Sequence, residues 1–136
     1  MLFLSRFFSH YKSFKIYQGY FIRSQILEKL AHAPSCKEEL INTVHKYIRD
    51  NQDDLLWTTS HAEISIELIA LSRLGFITML NNRYVLTDVG INANRTAMFH
   101  SMYASSLTTH RGLIIAFWGL ITALLALAVA VASLLG

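Results

Sequence analysis

The chain has 136 residues, 53% of them apolar and only 15% charged, with a formal net charge of +3. That is length for about one domain, and the composition is too apolar for a disordered one. One cysteine, one proline and six glycines exclude a disulfide scaffold and any collagen-like or proline-rich chain, and a multidomain enzyme is too large to fit. The charge is segregated. Residues 1–23 carry +4 with no acid, residues 24–88 hold all nine acids and net −3, and residues 89–136 carry +2. A basic excess on both flanks of an acidic middle suits a collar beside a membrane better than the basic patch that attraction to nucleic acid requires.

Residues 1–18 read as an amphipathic helix. At about 100° per residue, Phe3, Leu4, Phe7, Phe8, Tyr11 and Phe14 fall within an arc of roughly 140°, with Ser5, Arg6, Ser9, His10, Lys12 and Ser13 opposite. An aromatic face against a basic, serine-rich one is the pattern of a helix lying in the membrane interface. Phe3, Phe7, Phe8, Tyr11 and Phe14 are therefore candidate interface residues. The same face also suits packing on the domain or on a second copy of it, and the apolar tail described below favours the membrane. A secretory signal is not expected, because Arg6 and His10 break the apolar run and no small-residue cleavage site follows.

Residues 19–90 read as a cytoplasmic domain. In 20–33, Ile22, Ile26, Leu27 and Leu30 share one helix face, and Pro34 closes the helix. Ser35-Cys-Lys-Glu38 has the form of a capping box, opening a helix with Leu40, Ile41, Val44, Tyr47 and Ile48 in a stripe. Asp50-Asn-Gln-Asp-Asp54 reads as a loop. Ser60-His-Ala-Glu63 is a second capping box, and its helix is expected to run to Leu74 with Gly75 just past its end. Two β-prone runs around Asn81-Asn82 predict a hairpin, since asparagine tolerates left-handed backbone angles. From Asp88 the pattern is helical again, with a juxtamembrane helix expected over 91–111.

Three helices, a hairpin and a further helix make a mainly α fold with a small β-hairpin, in the order of a winged helix-turn-helix domain. Leu71-Ser-Arg-Leu-Gly-Phe-Ile77 and Tyr84-Val-Leu-Thr-Asp-Val-Gly90 resemble the end of the third helix and the wing of bacterial MarR-like and PadR-like regulators, over roughly residues 20–100. The resemblance implies a fold more firmly than a function, because winged helices bind both DNA and proteins. It also implies dimerisation through helices outside the helix-turn-helix, a role open to 1–18 and 91–108. The chain departs from the DNA-binding version at the reading helix, which needs Arg, Lys, Asn or Gln on its exposed face. Helix 61–74 offers Glu63, Glu67 and a single Arg73, with apolar residues on two arcs, as in a helix held between its own core and something else. The candidate wing contacts are Asn81, Asn82 and Arg83. Nucleic acid is thus an unfavoured partner.

Gly112 to Gly136 is 25 residues without a charge. As a helix it would be about 37 Å long, enough for a hydrocarbon core of about 30 Å, and a domain this small cannot wrap a helix apolar on every face. Arg111 and Trp118 are candidate interface anchors. With Arg111 before the span, the positive-inside tendency predicts a tail-anchored protein with a cytoplasmic N-terminal part. Gly112, Ala116, Gly119, Ala123, Ala126, Ala130 and Ser133 recur at spacings of three and four. That winds one small-residue stripe suited to close helix–helix association.

Catalysis has little support. Cys36 reads as a small core residue, and His61-Ala-Glu63 matches only half of a zinc deaminase signature. His-Glu-x-x-His, Gly-x-Ser-x-Gly and phosphate-binding glycine loops do not occur, and six histidines are scattered without metal spacing. The sequence therefore predicts a non-enzymatic, self-associating protein of a bacterial inner membrane, bound to lipid and to a protein partner, with no cofactor or metal. Two alternatives are a membrane-tethered DNA-binding regulator and a membrane-perturbing toxin or phage-defence effector.

Overall fold

A computed structural model of the chain describes residues 12–51 and 59–136, with side chains from Ile16 onward apart from His110. Phe3, Phe7, Phe8 and Tyr11 lie outside the described residues, as does the side chain of Phe14. Among those described, the fold is mainly helical with one small antiparallel hairpin and a long C-terminal helix.

Helix α1 spans Lys12–His32 without a break, so the expected boundary between a helix ending at residue 18 and another starting at 20 is not there. Glycine inside a helix costs about 1 kcal/mol, but Gly19 lies where α1 meets a later helix. A Cβ there would sit 3.0 Å from Glu67 Oε1. The buried neighbours Tyr17, Gln18, Ile22 and Ile26 carry the helix through, with Gln18 donating to the Thr59 hydroxyl at 2.6 Å.

Helix α2 spans Lys37–Asp50 and buries Leu40, Val44 and Ile48 along one stripe. Its N-cap is Cys36, not Ser35, and no side chain caps it. The expected Ser35 box fails because the Ser35 backbone is committed elsewhere. The Ser35 carbonyl accepts from Tyr84 N–H at 2.8 Å and its N–H donates to Tyr84 O at 3.3 Å. An isolated bridge therefore holds this residue extended, and the helix starts one position later. Cys36 is half-buried, with Sγ 4.0 Å from Glu39 Oε2. It sits at a helix end, so the reading of it as a core residue is corrected.

Helix α3 spans His61–Arg73 and opens with the full capping box. Ser60 N–H donates to Glu63 Oε2 at 2.8 Å, and Glu63 N–H donates to Ser60 Oγ at 3.3 Å. It ends as the sequence predicts: Gly75 takes φ +81°, while Phe76 N–H reaches Leu71 O and Gly75 N–H reaches Ser72 O, the two bonds of a Schellman closure. Strands β1 (Ile77–Leu80) and β2 (Arg83–Leu86) pair antiparallel, Ile77 opposite Leu86 and Leu80 opposite Arg83. Asn81 and Asn82 both have positive φ, 49° and 61°, as a two-residue type I′ turn requires.

Leu86-Thr-Asp-Val-Gly90 is a structural joint. The Thr87 hydroxyl accepts from Gly90 N–H at 3.1 Å, capping helix α4 (Asp88–Arg95), and donates toward the carbonyls of Gly75 and Phe76 at 2.6 and 3.0 Å. A Cβ on Gly90 would lie 2.0 Å from Phe76 O, so only glycine lets α4 seat against the start of the hairpin. Ala97, with φ 50° and ψ 37°, then divides the expected 91–111 helix. Beyond it helix α5, Met98–Leu135, runs 38 residues. The core lies between α1, α2 and α3, closed on one side by the hairpin and on another by Ala93 of α4 and Phe99 of α5.

Candidate functional site

The long helix α5 joins two regions of different chemistry. Its first turns pack on α1 through a ladder of rings. Phe99 lies 5.2 Å from Phe76 and 6.5 Å from Tyr20, and Tyr103 lies 4.9 Å from Phe21 and 5.7 Å from Tyr17. Later residues of α5 face earlier residues of α1, so the two helices run antiparallel, and Leu107 still packs against the core. Among the described residues, α5 is the one helix long and apolar enough to cross a membrane. From Gly112 to Leu135 none of its residues is buried. Leu113, Ile115 and Leu125 are 60–71% exposed, which for large apolar side chains in water would be a costly arrangement.

The predicted anchors sit at the start of that stretch. Arg111 is exposed, and Trp118 is half-exposed with its ring 6.1 Å from Phe117. Gly112, Ala116, Gly119, Ala123, Ala126, Ala130 and Ser133 are all exposed. A Cβ on Gly112 or Gly119 would meet nothing within 4 Å, and Ser133 satisfies its hydroxyl within the helix by donating to Ala130 O at 2.7 Å. At 3.6 residues per turn this stripe lies about 170° around α5 from the Phe99–Tyr103–Leu107 face. The side of the helix that carries the small residues is therefore not the side that α1 covers.

Helix α3 has the two apolar arcs expected of it. Ile64, Leu68 and Leu71 are fully buried, whereas Ile66 is 62% and Ile69 43% exposed. Its two carboxylates are already engaged: Glu63 in the capping box and Glu67 with Arg23, whose Nε donates to Oε2 at 2.5 Å. Arg23 also lies over the rings of Tyr20 and Phe99, 5.9 and 5.7 Å from their centres. One guanidinium thus ties α1 to α3 and α5. At the hairpin tip Asn81, Asn82 and Arg83 are exposed, and Arg83 donates to Pro34 O at 3.4 Å. A face of exposed isoleucines with Arg73 at its end offers few donors for base edges or phosphates.

Two groupings escaped sequence reasoning because their members are distant in the chain. Arg23 and Glu67 are 44 residues apart. His45 of α2 and His61 of α3 meet edge to face with ring centres 4.2 Å apart. Burial, then the neighbouring His61 and then Arg49 push the His45 pKa below the ordinary histidine value. No signal in sequence spacing marks either pair. A cleft of about 220 Å³ between α1 and the α4–α5 corner is lined in part by Gln25, Glu28, Asn94 and His100. It is smaller than the roughly 300 Å³ at which organic-ligand sites begin. Among the described residues no three His, Cys, Asp or Glu side chains gather as a metal site would require. No protein-family model, curated protein or solved structure matches the chain.

Proposed function

We propose that this chain is a non-enzymatic membrane protein. Its helical domain sits at the cytoplasmic face of a bacterial inner membrane, held there by α5, where it associates with itself and binds a protein partner. The observation that carries the reading is the continuity of α5, which has Phe99 in the domain core and an uncharged, unburied stretch from Gly112 onward. A helix shared in this way fixes the domain close to the bilayer and transmits any rotation or pairing of the span to α1. Arg95 and Arg111, before the apolar stretch, favour a cytoplasmic domain. The element order and the Thr87–Gly90 joint support the winged-helix likeness, used here for protein contact through Ile66 and Ile69.

The test is membrane fractionation of the full chain together with its behaviour towards DNA. The chain should stay with membranes through an alkaline carbonate wash, and removal of 112–136 should release it. Detergent-solubilised protein should show no salt-sensitive binding to duplex DNA. Submicromolar binding at about 150 mM salt, weakened by Arg83→Ala, would replace this reading with that of a tethered regulator.

A further inference from the structure

Helix α5 starts without a cap. Its N-cap is Ala97, in a left-handed conformation, and no side chain bonds the first turn. The opening N–H groups of a helix have no partner within it and carry the positive end of its dipole, so a helix begun this way is set to receive a negative group. The residues of that turn, Met98, Phe99 and His100, line the cleft between α1 and the α4–α5 corner. Every helix has an N-terminus. What singles this one out is Gln25 on the α1 wall of the same cleft. Gln25 is 5% exposed, and its buried Oε1 has no hydrogen-bond partner among the described residues. A buried carbonyl oxygen in that state is costly and calls for a donor. Glu28, exposed and one turn further along α1, sets a carboxylate on the same wall.

The cleft therefore has two signs. Acceptors come from α1, in Gln25 Oε1 and the Glu28 carboxylate, and donors from the α4–α5 corner, in the first turn of α5 and the half-buried amide of Asn94. Leu27, Met98 and Phe99 supply apolar lining. At about 220 Å³ the space exceeds a single water and falls short of a drug-sized ligand. We propose that it binds a free amino acid with a short side chain. The carboxylate lies at the start of α5 and at Asn94, and the ammonium group donates to Gln25 Oε1 and Glu28. An anion alone would leave Gln25 Oε1 unmet and would face Glu28, whereas a cation alone would face the positive end of α5. The inference does not depend on α5 crossing a membrane.

The test is methyl NMR of the full chain in detergent, isotopically labelled at the methionine methyl groups. Met98 lines the cleft, and the exposed Met79 on the hairpin serves as the remote control. The probes are L-alanine, sodium acetate and methylammonium chloride at matched ionic strength. Alanine should shift Met98 saturably and leave Met79 in place. Its Kd should be at least about fivefold below that of acetate or methylammonium, the gain from one partly exposed ion pair. Glu28→Gln, at an exposed position, should bring alanine to within about twofold of acetate. Gln25→Leu should weaken alanine by about tenfold. It should also keep or raise the denaturant midpoint, because it replaces an unmet polar group with an apolar one of similar size. If Gln25→Leu fails to fold, Glu28→Gln decides alone. An unmoved Met98 signal at about 50 mM alanine, acetate binding as tightly as alanine, or unchanged alanine affinity in Glu28→Gln would overturn the proposal.

Discussion

The two halves of α5 are built from similar apolar residues and have opposite surroundings. Over the first ten residues Phe99 is buried and Met98, Tyr103 and Leu107 press on the core, whereas Leu134 and Leu135 near the far end are 84–86% exposed. Nothing in the backbone separates them, for the helix is continuous from Met98 to Leu135. The difference lies in the solvent each half requires. The first half satisfies its apolar surface with protein, and the second has far more apolar surface than the domain can cover, which a bilayer would accommodate without any packing partner. Exposure of a leucine has no fixed energetic meaning until the medium around it is named.

The strongest way to break the contrast is to remove one large side chain from each half. Phe99→Ala should lower domain stability by about 3–5 kcal/mol, while Leu124→Ala, 57% exposed as Leu124 is in the native chain, should leave it within experimental error. Denaturant unfolding followed through the domain, together with the membrane-bound fraction of each variant, measures both. Equal losses would mean that the two halves share one packed environment. A smaller effect is expected from Glu67→Gln, which leaves Arg23 between α1, α3 and Phe99 without its ionic partner. Both side chains keep about a fifth of their surface exposed, so the cost should be near 1–2 kcal/mol, below the figure for a fully buried pair. Adding Arg23→Gln to that variant should cost only what its contacts with the Tyr20 and Phe99 rings are worth, about 0.5–1 kcal/mol, which a double-mutant cycle would separate from the ion pair.

In the apolar stretch of α5 the contrast is tested by paired substitutions of equal hydrophobicity. Ala123→Leu with Ala126→Leu falls on the small-residue stripe, and Ala128→Leu with Ala132→Leu falls off it. If α5 crosses the membrane and pairs as proposed, both should insert, and only the first should weaken self-association in a membrane crosslinking assay, by roughly 1 kcal/mol or several-fold in dimer fraction. The smallest effect is a pH dependence confined to the domain. His45 has a folded-state pKa below its unfolded value of 6.5, so the unfolded chain binds more protons between the two. Stability is therefore full above the unfolded value and falls as the pH drops through it toward the folded value. His45→Gln should flatten that part of the profile, and a chain whose stability is unchanged from pH 7.5 to 5 would contradict the shift.

Most of the elements were legible in the sequence because their signals act over a few residues. Ser60 and Glu63 cap α3 as their spacing predicts, Gly75 takes the left-handed angle that ends it, and Asn81 and Asn82 make the turn. Ile22, Ile26, Leu27 and Leu30 line the core as their periodicity requires. The apolar stretch from Gly112 is plain from composition, since 25 residues without a charge need no partner to be recognised.

What the sequence left undecided was settled by groups far apart in the chain. Ser35 had a valid capping sequence and lost the role because Tyr84, 49 positions on, took both of its backbone bonds. The boundary expected after residue 18 is absent, because one helix runs from Lys12 to His32 and Gly19 lies inside it where Glu67 comes close. Arg23 read as one more basic flank residue until Glu67, Tyr20 and Phe99 surrounded it. In each case a local preference worth about 1 kcal/mol was set against long-range contacts that exist only after the helices have packed. A side chain bonding its own backbone can be read from spacing, and one bonding a residue forty positions away cannot, because the distance between them is fixed only by the tertiary fold.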